Sequence, residues 1–224
     1  MTSDDKKPPT VPDIAIRAAI ELLPYGKDSM MTIYQGVRDR RLYRANQAMA
    51  EIEARVPQDQ LQARLLESES LDALFGRAIA AAADSALEAK RRMLGVVIAE
   101  AVLDDALVDD STLWVDLLAQ VEVVHVRCLE DILRVQKEVE ASGERPMASR
   151  GAEREINQKI LDAGRKYPSP LLKTLANLSL LDAQTSWDRS TDYVHGLTLF
   201  GEEFLQHLRT AAGTEATKPV VTSD

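Results

Sequence analysis

The feature that most constrains the fold is the helical spacing of apolar residues over much of the chain. In the clearest case six of them recur at positions i, i+3, i+4, i+7, i+8 and i+11, namely Leu71, Leu74, Phe75, Ala78, Ile79 and Ala82. Because an α-helix has 3.6 residues per turn, this spacing places all six on one face. Such a helix must pack against another element, so the pattern predicts a mainly α-helical protein.

Two helices are predicted before this segment. A short helix is expected from Pro12 to Leu22, since proline suits a first helical turn and Pro24 would end it. A long helix is expected from Asp28 or Ser29 to about Val56. Gly36 and the charged stretch 38–41 are the positions where that helix could break.

Two helices are predicted after it. The first, from about Leu87 to Leu103, has wide apolar coverage that indicates a central position, with outward-facing residues at Glu88, Lys90, Arg91 and Arg92. Asp109 and Asp110 suit the N-terminus of the next helix. That helix is expected to be single and to end near Gly143, with one apolar face formed by Leu113, Leu117, Val121, Val124, Cys128, Ile132 and Val135.

A loop and a short helix open the last third of the chain. Residues 141–152 contain glycine, proline and serine without periodic apolar residues, which indicates a loop. Helical spacing returns at Glu153. Ser169 and Pro170 then have the sequence of a helix cap and a first helical residue.

The final segment combines two strands with a helix. Residues 180–187 and 192–198 suit short strands joined by a turn at 188–190, and Thr198 suits the cap of a last helix. The order helix, helix, helix, hairpin, helix resembles that of a winged helix. Within it, SPLLKTLANLSLLD resembles a third helix running into the first wing strand, and YVHGLTLFGEEFL resembles the second wing strand and the closing helix.

Taken whole, the chain also resembles the Abi-alpha-like group of bacterial proteins of unknown function. The resemblance rests on IELLPYG at residues 20–26, the arginine-rich stretch 38–44, ALEAKRR at residues 86–92 and the C-terminal winged-helix-like segment. That group is associated by name with abortive phage infection. The resemblance therefore implies a role in phage defence.

These patterns predict a domain organisation. The predicted fold class is mainly α, with an N-terminal helical bundle and a C-terminal winged-helix-like module that contains a small two-stranded β-hairpin. We place the bundle at residues 11–110 and the winged-helix-like domain at 111–210, with disordered tails at 1–10 and 211–224.

Composition narrows the compartment and the partners. Cys128 is the single cysteine, which fits a reducing compartment, and no apolar run has the roughly 18 residues that a membrane span needs. We therefore expect a cytoplasmic protein without membrane insertion. The formal net charge of −9 would repel a polyanion, so nucleic-acid binding would need a local basic surface.

Two basic clusters are candidates for contact with an anion or a partner protein. Their residues are Arg38, Arg40, Arg41, Arg44, Lys90, Arg91 and Arg92. Arg40 and Arg44 would share one helix face, which makes a compact positive patch geometrically feasible. The alternative is a solvated face whose charges pair with nearby carboxylates.

A DNA-binding interpretation of the winged segment is the alternative function. In this interpretation the third helix would enter the major groove. The candidate contacts are Lys173, Thr174 and Asn177 on that helix and Arg189 in the hairpin turn. That helix has no arginine, and residues 150–210 contain as many acidic as basic side chains. We therefore expect packing or protein interaction rather than DNA recognition.

No catalytic residue, cofactor or metal ligand is predicted. The sequence contains no glycine-rich phosphate loop and no Gly-x-Ser-x-Gly motif, and His125, His195 and His207 lack the spacing of a metal site. The remaining hypothesis is a non-enzymatic regulatory or protein-interaction protein, with a homo-oligomer expected from its broad apolar faces. An enzyme whose site is built from distant helices stays an alternative.

Overall fold

A computed structural model describes residues 27–142, 157–184 and 193–213. Several predictions fall outside these residues: the helix at 12–22, the IELLPYG motif, most of the loop at 141–152, the hairpin turn with Arg189, the tail at 1–10 and all but the first residues of the tail at 211–224. The chain divides into two compact units, residues 1–43 and 44–224. The predicted domain boundary at residue 110 stays a prediction.

The protein is mainly helical, with a small antiparallel sheet near its C-terminus, as predicted. The helices are α1 (Lys27–Glu53), α2 (Gln58–Glu67), α3 (Glu69–Asp84), α4 (Glu88–Leu103), α5 (Val108–Gln120), α6 (Val123–Ser142), α7 (Gln158–Gly164), α8 (Ser169–Asn177) and α9 (Leu199–Gly213). The strands are β1 (Leu181–Gln184) and β2 (Tyr193–Leu197), and a 3₁₀ turn, Asp105–Leu107, precedes α5. In the part of the chain described, no helix combines the length and apolar character required to cross a bilayer.

Helix α1 confirms the long N-terminal prediction. It continues through Gly36, where a Cβ atom would meet no neighbouring atom within 4 Å, so no close contact requires glycine at this position. In the first unit its apolar side chains Ile33, Val37 and Leu42 are exposed. In the second unit Ala48 and Ile52 are buried.

The second unit is built around α4. This helix buries apolar side chains on almost every side and packs against α3, α5 and α9. Gly95 allows a close helix approach, because a Cβ at this position would lie 2.5 Å from the carbonyl oxygen of Ala48. The inward prediction for Leu94, Ile98 and Val102 is confirmed, since all three are fully buried.

The outward prediction for the start of α4 is wrong for two residues. Lys90 is only 1% exposed and Arg91 only 7% exposed. The Nζ of Lys90 donates to the carbonyl oxygen of Val121 at 2.8 Å and pairs with the Glu122 carboxylate at 2.8 Å. The guanidinium of Arg91 donates to the carbonyl oxygen of Ser85 at 2.9 Å. These backbone and carboxylate acceptors compensate the cost of removing both cations from water.

The single helix expected from Leu113 to Val135 is also wrong. The chain leaves the helix at Val121, whose backbone is extended with ψ of 128°, and α6 begins at Val123. The break exposes carbonyl oxygens that a continuous helix would have paired, and Lys90 supplies the missing donor. Leu113 and Val124, both predicted to lie on the buried face of that helix, are exposed.

The C-terminal elements follow the predicted order. Leu181 pairs with Leu197 and Gln184 with Tyr193 in the antiparallel hairpin. Helix α8 begins one residue earlier than predicted, with Pro168 as its cap. The predicted cap of the last helix is confirmed, because the hydroxyl of Thr198 accepts a hydrogen bond from the Gly201 amide at 2.9 Å.

Candidate protein-interaction surface

The most distinctive surface of the second unit is an apolar groove between α5 and the region where α8 ends and α9 begins. We call it the Trp114 groove, and it encloses about 440 Å³. It is lined by Asp110, Leu113, Trp114, Asp116, Leu117, Gln120, Leu178, Ser179 and Phe200. Leu113 is 69% exposed and Phe200 is 37% exposed, so the groove presents apolar carbon directly to solvent.

The groove forms because the apolar residues of α5 cover a wider arc of the helix than the side that is buried in the core. Val115 and Leu118 are directed into the core and are fully buried. Trp114 and Leu117 lie on a neighbouring arc and are partly or nearly buried, which leaves Leu113 on the open side. A helix with two apolar arcs and one buried face is suited to a second contact.

Aromatic packing fixes the floor of the groove. The Trp114 ring lies 5.5 Å from that of Phe200 and 6.3 Å from that of Phe204, centroid to centroid. The imidazole of His207 meets the indole edge-on at 5.5 Å. Three contacts to successive turns of α9 hold Trp114 in place, so the surface beside it is formed before any partner arrives.

The opposite wall is fixed by the end of α8. Ser179 has a positive φ of 58°, and the Leu180 amide bonds back to the Leu175 carbonyl oxygen at 3.0 Å, which is the Schellman arrangement of a helix C-terminus. The Thr198 hydroxyl donates to the Ser179 carbonyl oxygen at 2.5 Å. Since the same hydroxyl caps α9, one side chain joins the end of α8 to the start of α9 and positions Phe200.

Two carboxylates give the groove its charge. Asp110 lies in the first turn of α5, and its carboxylate has no hydrogen-bond or ion-pair partner among the described residues. Asp116 pairs with Arg77 at 2.8 Å, and both side chains are about half exposed. No lysine, arginine or histidine is among the described residues that line the groove. The charged side chains of its lining are therefore acidic.

A second cavity of about 340 Å³ adjoins the groove and shares Asp110 and Trp114 with it. Its charged lining is mixed, with Arg55 and His207 opposed by Glu100. Because Trp114 borders both spaces, apolar surface continues along α5 beyond the groove.

The two predicted basic clusters differ in solvent exposure. Arg38, Arg40 and Arg41 are exposed on α1, and Arg44 is half-buried. In the second cluster Lys90 and Arg91 donate to buried backbone carbonyl oxygens, while the third member, Arg92, pairs with Glu88 on the preceding turn at 2.8 Å. The second cluster is thus not a basic surface.

Two of the four residues proposed for DNA contact are exposed. Lys173 and Asn177 are exposed on α8. The hydroxyl of Thr174 donates to the Pro170 carbonyl oxygen at 3.0 Å within the same helix. Arg189 lies outside the described residues.

Cys128, Tyr167 and His195 also carry reactive or titratable groups, and each of these groups is shielded from solvent or hydrogen-bonded within the fold. Burial raises the pKa of the Cys128 thiol to about 12, which leaves it unreactive. The hydroxyl of Tyr167 donates to the Asp131 carboxylate at 2.5 Å and lowers the pKa of that carboxyl. Both ring nitrogens of His195 are shielded from solvent without a hydrogen-bond partner among the described residues. Within the same residues, no group of three or more acidic, histidine or cysteine side chains is arranged to hold a metal ion.

The groove is not evident from the sequence, because the spacing predicts a continuous buried face that includes Leu113. A usable signal is present in the adjacent pairs Leu113–Trp114 and Leu199–Phe200. Neighbouring residues on a helix point about 100° apart, so an apolar pair at the edge of a face indicates a wider apolar arc. What the sequence does not show is that the arcs of α5 and α9 adjoin.

Comparison with known proteins leaves the interpretation to this geometry. No protein family, no curated protein and no solved structure matches the chain.

Proposed function

We propose that this protein is a non-enzymatic, regulatory interaction protein that binds a protein partner through the Trp114 groove. The observation that carries the proposal is the solvent exposure of Leu113 beside a rigid aromatic floor. Exposed apolar surface inside a preformed groove is typical of binding sites rather than of ordinary surface.

The energetics favour such a contact. Fully burying a leucine side chain contributes roughly 1.5–3 kcal/mol, so covering Leu113 would contribute about 1–2 kcal/mol before ordering costs. The floor is already fixed by the packing of Trp114 against α9. A partner would therefore lose little free energy in ordering this side of the interface.

Site-specific photocrosslinking in cells tests the proposal. A photoreactive phenylalanine analogue is placed at position 113, and at position 66 as a matched control, because Leu66 is a helix leucine that is 81% exposed but does not line the groove. We expect a discrete protein adduct from position 113 and none from position 66. Equal adducts from both positions, or none from position 113, would contradict the proposal.

Self-association belongs to the same proposal. The expected homo-oligomer would bury the exposed apolar faces of two copies, and an adduct whose mass is twice that of the chain would identify it. Light scattering at micromolar concentration is the independent check. A clean monomer there removes the oligomer while leaving a different partner in place.

The proposed link to phage defence rests on the Abi-alpha-like resemblance. The proposed cytoplasmic location rests on the buried, unpaired Cys128. The efficiency of plating of several phages on cells with and without the protein tests the first. We expect fewer plaques when the protein is present. Unchanged plating across the panel would count against a defence role.

DNA binding is the second candidate function. It is favoured by the order α6, α7, α8, hairpin, α9, which matches the order expected of a winged helix, and by the exposure of Lys173 and Asn177 on α8. Fluorescence anisotropy with mixed-sequence duplexes at low and moderate salt tests it. Salt-sensitive binding that Lys173→Ala weakens would support this function, and no binding at low salt would remove it.

A further inference from the structure

We infer that the partner of the Trp114 groove is an amphipathic α-helix that carries lysine or arginine beside its apolar face. This inference rests on the proposed function, since it names the occupant of the same groove. Three observations lead to it: the shape of the groove, its apolar lining and the sign of its charge.

The shape favours a helix as the occupant. The groove follows α5, which has 13 residues and is therefore about 20 Å long. Its described walls are helix side chains and the α8 terminus, and none of its lining residues belongs to β1 or β2. An extended peptide binds best along an unpaired strand edge, whereas an apolar groove between helices accepts a helix that inserts side chains at positions i, i+3 or i+4, and i+7.

The apolar lining defines the face of the partner. Leu113 and Phe200 are exposed at the rim, and Leu117 and Leu178 lie deeper. A helix that placed leucine-sized side chains between these residues would remove all of this carbon from water.

The charge selects a basic partner over an acidic one. Asp110 has no partner among the described residues, and the Arg77 pair of Asp116 is solvent-exposed and therefore weak. An incoming lysine or arginine would gain a carboxylate partner at either position. An incoming glutamate would meet like charge at both, which is the usual way in which interfaces reject wrong partners.

Three fluorescein-labelled helical peptides test this inference on the full chain. The first has leucine at every third or fourth position with lysines flanking that face. The second replaces the lysines by glutamates, and the third keeps the lysines but replaces the leucines by serines. By fluorescence polarisation at low salt we expect the leucine–lysine peptide to bind at least about tenfold more tightly than either of the others, and this preference should shrink as salt rises.

Variants of the protein assign the preference to the groove. Asp110→Asn, alone and with Asp116→Asn, should reduce the lysine-over-glutamate preference to less than about threefold, because it removes the charge and keeps the side-chain size. Asp72→Asn is the matched control, as an exposed aspartate in the first turn of α3. Leu113→Ser should abolish binding of both leucine peptides, whereas Leu66→Ser should leave it unchanged. Thermal melting of each variant shows that the fold is retained.

The outcomes separate the inference from the proposed function. If both leucine peptides bind equally and Leu113→Ser abolishes both, the groove binds a helix but the charge inference is overturned. If neither leucine peptide binds, the inference is overturned, and the position-113 crosslink then decides the proposed function separately. If the serine–lysine peptide binds as tightly as the leucine–lysine peptide, the attraction is electrostatic alone and the inference is again overturned.

Discussion

Helices α4 and α5 are neighbours in the chain and in the core, yet they differ in which kinds of side chain they bury. Helix α4 buries two cations, Lys90 and Arg91, whereas α5 exposes the apolar side chain of Leu113. Residue type alone predicts the reverse for all three. The comparison shows two separate causes of burial. Lys90 and Arg91 are buried because backbone carbonyl oxygens near α4 accept their hydrogen bonds. Leu113 is exposed because it lies on the side of α5 that does not face the core.

The largest test of this comparison is Lys90→Ala. It removes the donor to the Val121 carbonyl oxygen and leaves that group and a cavity inside the protein. We expect a loss of about 2–4 kcal/mol in the free energy of unfolding, measured by urea denaturation. Lys137→Ala is the control, since Lys137 is 60% exposed and pairs with Glu202 at 3.4 Å, and it should cost less than about 0.5 kcal/mol. Equal losses would show that the burial of Lys90 does not matter to stability.

A pair of glycine substitutions tests how closely α4 is packed. Gly95→Ala places a methyl group 2.5 Å from the Ala48 carbonyl oxygen and should destabilise the protein by about 1–3 kcal/mol. Gly76→Ala, in the exposed part of α3, meets no atom within 4 Å and should stabilise by about 0.5–1 kcal/mol. Opposite signs in thermal melts are expected. Two changes of the same sign would contradict the packing around Gly95.

A smaller effect is expected from pH at the junction between α5 and α6. His125 accepts a hydrogen bond from the Glu122 amide at 3.1 Å, which only an unprotonated ring nitrogen can do. Burial, and then the charge of Lys90, lower the pKa of His125 below its ordinary 6.5, against the opposing effect of Glu122. The folded protein therefore binds this proton less readily than the unfolded chain. Its contribution to stability is complete above pH 6.5 and is lost as the pH falls below that value.

His125→Gln isolates this contribution. Glutamine at the third residue of a helix can accept the same amide hydrogen bond, as in a capping box, but does not titrate. Urea midpoints at pH 7.5 and pH 5.5 should fall further in the natural protein than in the variant. A fall of the same size in both would assign the pH dependence to other groups.

The smallest effect on stability is expected for Leu113. Because this side chain is largely exposed, Leu113→Gln should change the free energy of unfolding by less than about 0.5 kcal/mol. Leu118→Ala, one turn further on a fully buried side of the same helix, should cost about 2–5 kcal/mol. Chemical denaturation of the two variants gives the contrast directly. A large loss at Leu113 would mean that it supports the fold instead of a partner.

Much of the helical framework is predictable because local periodicity carries it. The six-residue pattern starting at Leu71 locates α3 to within two residues at each end. Helix α2 is not predicted, since only Leu61 among its residues is buried and its apolar pattern is short. The break between α5 and α6 escapes prediction for a different reason. Both helices have apolar residues in phase with each other, and nothing local at Val121 indicates a lost turn.

The candidate site is far less predictable than the fold. Trp114 and Phe200 are 86 positions apart in the printed sequence, and their contact depends on how α9 packs. The basic clusters can be found in the sequence, yet Lys90 and Arg91 donate hydrogen bonds to carbonyl oxygens inside the protein. A pattern in sequence reports which face of a helix is apolar, but it does not report which face meets the core.

By itself the sequence determined the mainly helical class, the hairpin near the C-terminus and the cap at Thr198, because these depend on side chains within a few positions of each other. Only the tertiary structure decided that Lys90 is buried, that α5 ends before α6 and that Leu113 lines an open groove. Each of these depends on a partner far away in the chain. The balance between desolvation and hydrogen bonding is settled only when those distant groups meet.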